Sequence, residues 1–353
     1  MDLIETLCRV ALENEAEDLY LKADNSPRLR IKGDLIEIED TIFSEEDMER
    51  FLDRCGYDES PTKEADLAWE NSAGQRFRVN VFDSLGTRCA VLRPLREVTQ
   101  SMMALGLPVE RLQNWLTRNH GLILFTGATG SGKSTSLASC LSWVSKKFKK
   151  HIITIEDPVE YLLKSDQSLV SQRQIGTDTE SFDKGLRAAL RQSPDVIFVG
   201  EIRDYETAKA ALHACETGHL VVSTLHSSDV VETVQRLLML FPAAEREGAL
   251  HVISRQLLGI LSQKLVPGED GNLHLLVEHL ENVGVVKKWL EESEINKIAD
   301  FLAQGSQGEN VTFINSIILA YKSGQISEDI ARAACDDPAD FNRIILGVSH
   351  GSR

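Results

Sequence analysis

No stretch of the 353-residue sequence approaches the roughly 20 apolar residues that a membrane-spanning helix needs. A transmembrane protein is therefore not expected. Residues 1–15, MDLIETLCRVALENE, have no basic start, no long apolar run and no small-residue cleavage site, so no secretory leader is expected either. The six cysteines, at positions 8, 55, 89, 140, 215 and 335, form no CxxC pair and show no metal-ligand spacing. That pattern points to reduced thiols in a cytoplasm and to no protein-ligated metal site. Positive charge is also short: 38 Lys and Arg against 54 Asp and Glu leave a net charge of −16, which repels polyanions, and nucleic acid is not expected as a partner. The densest basic run, Lys146, Lys147, Lys149 and Lys150, has only Phe148 as an aromatic companion and reads as a solvated helix end. Internal repeats and low-complexity segments are lacking as well.

What is present is a phosphate site. GATGSGKS, Gly127 to Ser134, follows the apolar run Leu122-Ile123-Leu124-Phe125, which predicts a strand, a glycine loop and a helix in that order. Gly127, Gly130 and Gly132 let the backbone curl its N–H groups around phosphates. Lys133 can bridge the outer phosphates and Ser134 can offer its hydroxyl to Mg²⁺, while the following helix points its positive end at the anion. The candidate nucleotide-binding residues are Thr129, Gly130, Ser131, Gly132, Lys133, Ser134 and Thr135.

With 42% hydrophobic residues the chain is long enough for two cores. Residues 1–97 read as an α+β unit with a mostly antiparallel sheet: a helix at 3–12, a hairpin around Gly33-Asp34, a Ser44-capped helix to Arg54, and strands at 65–69, 75–82 and 87–92. Residues 98–110 read as a linker. Over 111–280 strands and helices alternate as in a parallel sheet with crossover helices, with strands at 122–126, 152–155, 196–199 and 220–224 and helices at 134–147, 181–192 and 205–217. Residues 281–353 read as helical only, with helices at 285–290, 295–304, 313–323, 327–334 and 338–346.

Open α/β sheets carry their sites at the carboxyl ends of strands. The second core strand ends in IEDPVEY, where Asp157 reads as a turn cap, Glu156 as either a cap or a functional acid, and Glu160 as the group that orients or deprotonates an attacking water. The strand 195–199 delivers Glu201, placed to hold the water shell of Mg²⁺ or to polarise the nucleophile; Arg203 and Asp204, which follow, have each other as partners. His226 ends the next strand and should face the γ-phosphate, whereas His219, at the opposite end, reads as structural. Alternation in Arg76 to Phe82 puts Arg76 and Arg78 on one face, and Arg93 ends a neighbouring strand; phosphate recognition is one of several uses open to such arginines.

These motifs together, GLILFTGATGSGKST, HIITIEDPVEY, LRQSPDVIFVGEIRD and ETGHLVVSTLHSSD, with RFRVNVF and LRP upstream, resemble the secretion-type ATPases and, within them, the type IV pilus retraction (twitching motility) ATPases. The resemblance implies an α/β fold in which a RecA-like phosphate-loop NTPase core carries an N-terminal PAS-like α+β domain and a helical C-terminal segment. It implies ATP and Mg²⁺ as ligands, Ser134 and, through water, Glu201 on the metal, Glu160 in an acidic box, Glu201 as the Walker B glutamate, His226 in a histidine box, and Arg78 and Arg93 as cationic fingers. It further implies a homohexameric motor at the cytoplasmic side of the inner membrane, at the pilus base, acting on a membrane platform protein and, in one reading, with a second retraction ATPase.

Assembly and type II secretion ATPases carry a four-cysteine zinc segment and a long N-terminal extension, so their lack here places the expectation in the retraction branch. One family motif, an AIRNLI-like helix, reads Asn282-Val283-Gly284-Val285-Val286-Lys287-Lys288-Trp289-Leu290, keeping the apolar positions but not the arginine and asparagine. A principal retraction motor and a divergent accessory paralogue both fit, and a conjugation or secretion ATPase is the further alternative.

Overall fold

The structure, a computed structural model, describes residues 2–57, 64–303 and 310–345. The chain forms two compact units, one ending at Glu97 and one beginning at Val98.

In the first unit, α1 (Leu3–Glu13) precedes strands β1 (Asp18–Lys22), β2 (Arg28–Ile31) and β3 (Asp34–Glu37), then α2 (Glu45–Arg54), β4 (Ala65–Glu70), β5 (Arg76–Ser84) and β6 (Thr87–Pro94). The six strands make an antiparallel sheet in the order β3-β2-β1-β6-β5-β4. Alternation decides its faces: Phe77, Val79 and Val81 are buried with Leu19, Leu21 and Leu92 beneath both helices, and Arg76, Arg78 and Asn80 point the other way. Ser44 and Asp47 cap α2 reciprocally, the Ser44 hydroxyl accepting from Asp47 N–H and the Asp47 carboxylate accepting from Ser44 N–H.

The second unit contains α3 (Val109–Leu116), β7 (Gly121–Thr126), α4 (Lys133–Lys147), β8 (His151–Glu156), β9 (Leu169–Gln174), α5 (Phe182–Ala189), β10 (Val196–Val199), α6 (Tyr205–Glu216), β11 (Leu220–Leu225), α7 (Val230–Met239), α8 (Arg246–Gln256), β12 (Leu257–Pro267) and β13 (Leu273–Glu281). Its sheet runs β9-β8-β10-β11-β7-β12-β13, parallel throughout except for the β12–β13 hairpin. β7, β10 and β11 are buried at every position, as unbroken apolar strands covered on both faces require. Ile153, Ile155, Ile197, Val199 and Val221 pack towards α5, α6, α7 and α8, while Ile123, Phe125, Ile152, Phe198 and Val222 pack towards α3 and α4. Asp204 and Asp229 cap α6 and α7 through Thr207 N–H and Glu232 N–H.

Residues 98–110, expected as a linker, are grouped with the second unit. Met102 and Leu107 are buried in the same apolar cluster as Leu112, Leu137 and Cys140, and Ser139 Oγ donates to Gln100 O at 2.9 Å, so this segment folds with the second unit. The sequence expectation also left out β9, α7, α8 and the β12–β13 hairpin. After β13 come α9 (Gly284–Glu291), α10 (Ile295–Ala303), α11 (Phe313–Lys322), α12 (Glu328–Ala334) and α13 (Pro338–Ile345); the expected ends at Gln304 and Leu346 lie outside the described residues. Val286 and Leu290 of α9 and Ile298 and Leu302 of α10 join the same core as the central strands, and α11 to α13 form a smaller cluster around Leu276 of β13.

One buried acid ties these regions together. Glu278 on β13 accepts from Val230 N–H, the first residue of α7, at 2.9 Å and from Phe313 N–H, the first residue of α11, at 3.2 Å. Burial pushes its carboxyl above the ordinary range, opposed by those two N–H groups. No helix among the described residues is long and apolar enough to cross a membrane.

Candidate functional site: a phosphate-loop cleft

The sheet register decides the site. Thr126 of β7 pairs with Leu225 of β11, Ser223 of β11 with Val199 of β10, and Val199 with Ile155 of β8. The residues leaving these four carboxyl ends, Gly127, His226, Glu201 and Glu156, therefore stand side by side. His226, Glu201 and Glu156 line a cleft of about 560 Å³ built by the second unit, within the size range of roughly 300–1,000 Å³ common for small-molecule sites.

Thr129, Gly130, Ser131, Gly132, Lys133, Ser134 and Thr135 line one wall of the cleft. Gly127 has φ +140°, and a Cβ there would stand 2.4 Å from the Gln263 carbonyl oxygen on β12 and 2.5 Å from Ser131 Oγ. Only glycine lets the chain leave β7 at that point. Gly132, at φ +86°, turns the loop into α4, whose first N–H groups and dipole face the cleft. Lys133 Nζ donates to the carbonyls of Gly127 and Ala128 at 2.7 and 2.9 Å. Burial lowers its ammonium below the ordinary lysine range, opposed by the charges of Glu201 and Glu160, so both carboxylates act on this cation.

Glu201 is largely buried between Arg203 and His226. Arg203 Nε lies 2.7 Å from its Oε2, and His226 Nε2 lies 3.3 Å from its Oε1. Arg203 thus pairs with Glu201 and not with Asp204, which serves α6 as its cap. His219, at the other end of β11, has Nδ1 3.1 Å from Ala214 O and 3.2 Å from Thr217 Oγ1, a local structural role. Glu160 is exposed on the lip of the cleft.

Glu156, expected as a cap or a functional acid, is a buried carboxyl whose partners include the Glu160 N–H. Its Oε1 accepts from Thr154 Oγ1 at 2.6 Å and from Gln172 Nε2 at 3.1 Å. Burial pushes its carboxyl up to about 7, opposed by those two donors and by the Glu160 N–H, and reinforced by the Glu160 charge. Tyr161 and Gln172 also line the cleft, and Tyr161 Oη shares a 2.8 Å hydrogen bond with Thr135 Oγ1 in the first turn of α4. Neither residue carried a sequence signal, since Gln172 lies on the unexpected β9 and Tyr161 beyond the last acid of its motif.

The entry to the phosphate loop is held from behind by buried hydroxyls. Thr126 Oγ1 shares a hydrogen bond with Ser262 Oγ at 2.6 Å and accepts from Thr233 Oγ1 at 3.3 Å, and Thr233 shares another with Ser227, the residue after His226, at 2.7 Å.

In the first unit, taken by itself, Arg78 and Arg93 face each other across β5 and β6. Arg78 Nη2 lies 3.2 Å from Asp66 Oδ1, and Arg93 grips the buried Asp18 through Nε and Nη2 at 2.7 and 3.0 Å.

The chemistry available in the cleft is anion binding by backbone N–H groups and Lys133, with carboxylates set around the place where an outer phosphate would lie. Among known proteins, the family described as Type II/IV secretion system protein matches residues 2–278. The type IV pilus ATPase PilU of Pseudomonas aeruginosa is 32% identical over 348 residues, covering 97% of this chain and 91% of that protein. The type IV pilus retraction ATPase PilT of the same organism is 33% identical over 348 residues, covering 97% and 100%. A crystal structure of the pilus retraction motor PilT with bound ADP superposes with a TM-score of 0.88 at 36% identity, covering 96% of this chain and 99% of that one. This chain belongs to the type II/IV secretion system protein family, among its PilT-like pilus retraction ATPases.

Proposed function

We propose that the chain is the ATP-hydrolysing motor of type IV pilus retraction, working as a homohexameric ring against an inner-membrane platform protein at the pilus base. The observation that carries this reading is the gathering of Lys133, Glu160, Glu201 and His226 around one phosphate-loop cleft by the ends of adjacent strands. The first unit would be the PAS-like domain, the sheet of the second unit the RecA-like core, and α9 to α13 the helical C-terminal region.

In this reading the loop N–H groups and Lys133 Nζ bind the phosphates of ATP, Lys133 exchanging the Gly127 and Ala128 carbonyls for phosphate oxygens. Ser134 Oγ and the Glu201 carboxylate are hard oxygen donors suited to Mg²⁺, directly and through water, where the ion would neutralise charge on the outer phosphates. Glu160 orients the attacking water, and His226, joined to Glu201, registers the γ-phosphate. Arg78 and Arg93 would supply the positive charge that phosphoryl transfer calls for, each leaving or sharing its carboxylate partner to do so.

The test is phosphate release by the purified protein with ATP and Mg²⁺, together with pilus imaging in a Glu201→Ala strain. Turnover above a Lys133→Ala control and hyperpiliated cells are expected; turnover no higher than that control ends the motor reading. A second reading, an accessory retraction ATPase acting with another ring, is favoured by α9, where Lys287 and Lys288 are exposed at the places of the family's arginine and asparagine while Val286 and Leu290 stay buried. Retraction that is merely weakened on gene deletion would select it.

A further inference from the structure

The segment that carries Glu160 leaves the sheet after β8 and returns at β9, and one side chain outside it grips it on both sides. Gln172 Nε2 donates to Glu156 Oε1 at 3.1 Å and to Tyr161 O at 2.9 Å, and its Oε1 accepts from Leu163 N–H at 2.8 Å. An amide side chain offers both donors and an acceptor, and here one group reaches positions 156, 161 and 163, which bracket Glu160. A second tie, the Tyr161 Oη to Thr135 Oγ1 bond, fastens the same segment to the first turn of α4, two residues from Lys133.

We propose that Gln172 is a positioning residue for ATP hydrolysis: its amide ties the Glu156 carboxylate, before Glu160, to the backbone of Tyr161 and Leu163, after it, and so sets where the Glu160 carboxylate stands relative to Lys133 and Glu201. The inference rests on the reading of Glu160 as the residue that orients water. Gln172 itself performs no proton transfer. Its contribution is geometric, and a displacement of about 1 Å at a reacting group can cost up to about 100-fold in rate. Simple satisfaction of the buried Glu156 would need one of the three bonds; the bonds to Tyr161 and Leu163 serve the backbone beyond Glu160.

The experiment uses the full chain with Gln172→Met, which keeps the length and removes the hydrogen bonds, and Gln172→Glu, which keeps an acceptor for Leu163 and loses both donors. Steady-state kcat and KM for ATP with Mg²⁺, ADP affinity and single-turnover phosphate release are measured in the native and Glu160→Gln backgrounds. The expected result is a fall in kcat of about tenfold or more with KM and ADP affinity within about twofold, and no further loss in the Glu160→Gln background, since residues acting as one unit are not additive. Should Gln172→Met not fold, as judged by lost ADP binding, Gln172→Glu is read by the same comparison. Full kcat in the Gln172 variants while Glu160→Gln is impaired overturns the inference alone, as does an equal fractional loss in both backgrounds. Full kcat in Glu160→Gln overturns the reading of Glu160 and the inference with it.

Discussion

His226 Nε2 stands 3.3 Å from Glu201 Oε1, joining the carboxyl ends of two neighbouring strands across the floor of the cleft. An imidazole in contact with a carboxylate that already pairs with Arg203 links whatever happens at a bound phosphate to the acid beside it. Replacing His226 by Ala removes that link and leaves the loop and Lys133 intact. The expected outcome is a loss of about 10- to 100-fold in kcat, the worth of one charge-assisted hydrogen bond of about 1.5–3 kcal/mol, with ADP affinity little changed. Steady-state kinetics beside an ADP titration checks it.

Lys133 and Glu201 separate binding from turnover. Lys133→Ala takes away the cation that sits against the loop carbonyls, and both ATP affinity and hydrolysis are expected to drop, hydrolysis by about 100-fold or more. Glu201→Gln keeps the volume and the cleft, so a fluorescent nucleotide should still bind while phosphate release falls comparably. Equal retention of turnover in both variants would contradict the placement of the chemistry in this cleft.

Glu156 gives a pH signature. Its carboxyl is pushed up to about 7 by burial, so the folded chain holds that proton more tightly than the unfolded chain does. The protein then loses stability as pH rises from the ordinary carboxylate range towards 7, by up to about 3 kcal/mol, and the loss levels off above that. Glu156→Gln cannot lose a proton there. Its melting temperature relative to the native protein should improve by several degrees between pH 5 and pH 8, and a difference that stays constant with pH would refute the assignment.

Gly259 on β12 is a packing limit. A Cβ at this position would stand 2.1 Å from Trp115 Cζ2, and Trp115 is buried with its indole N–H donating to Glu281 Oε1 at 3.3 Å. The ring cannot swing aside without giving up that bond. Gly259→Ala is expected to cost about 1–3 kcal/mol, read as a lower midpoint in urea with the slope unchanged.

Much of this was legible in the sequence because the strands that position the chemistry are unbroken apolar runs. Leu122 to Thr126, Val196 to Val199 and Leu220 to Leu225 announce buried parallel strands; the first leads into the phosphate loop, and Gly200 and His226, which follow the other two, line the cleft. β9 was hidden because Leu169-Val170-Ser171-Gln172-Arg173-Gln174 is half-buried along nearly its whole length and shows no alternation. The β12–β13 hairpin was hidden because polar side chains occupy its interior positions: Ser262, Gln263, Glu278 and His279 are all buried there. Arg93 carried no local clue to its partner, since Asp18 lies 75 positions away and meets it only through the pairing of β1 with β6. The burial of Glu156 likewise depends on β9, which no motif marks.

Glu278 serves the opening peptide groups of α7 and α11 with one carboxyl. If either helix start withdrew, the buried carboxyl would lose one of its two N–H donors, so the two helices share a single anchor. α7 begins four positions after His226, so one acid anchors both the helix that follows the cleft's histidine and the helix that opens the α11 to α13 cluster.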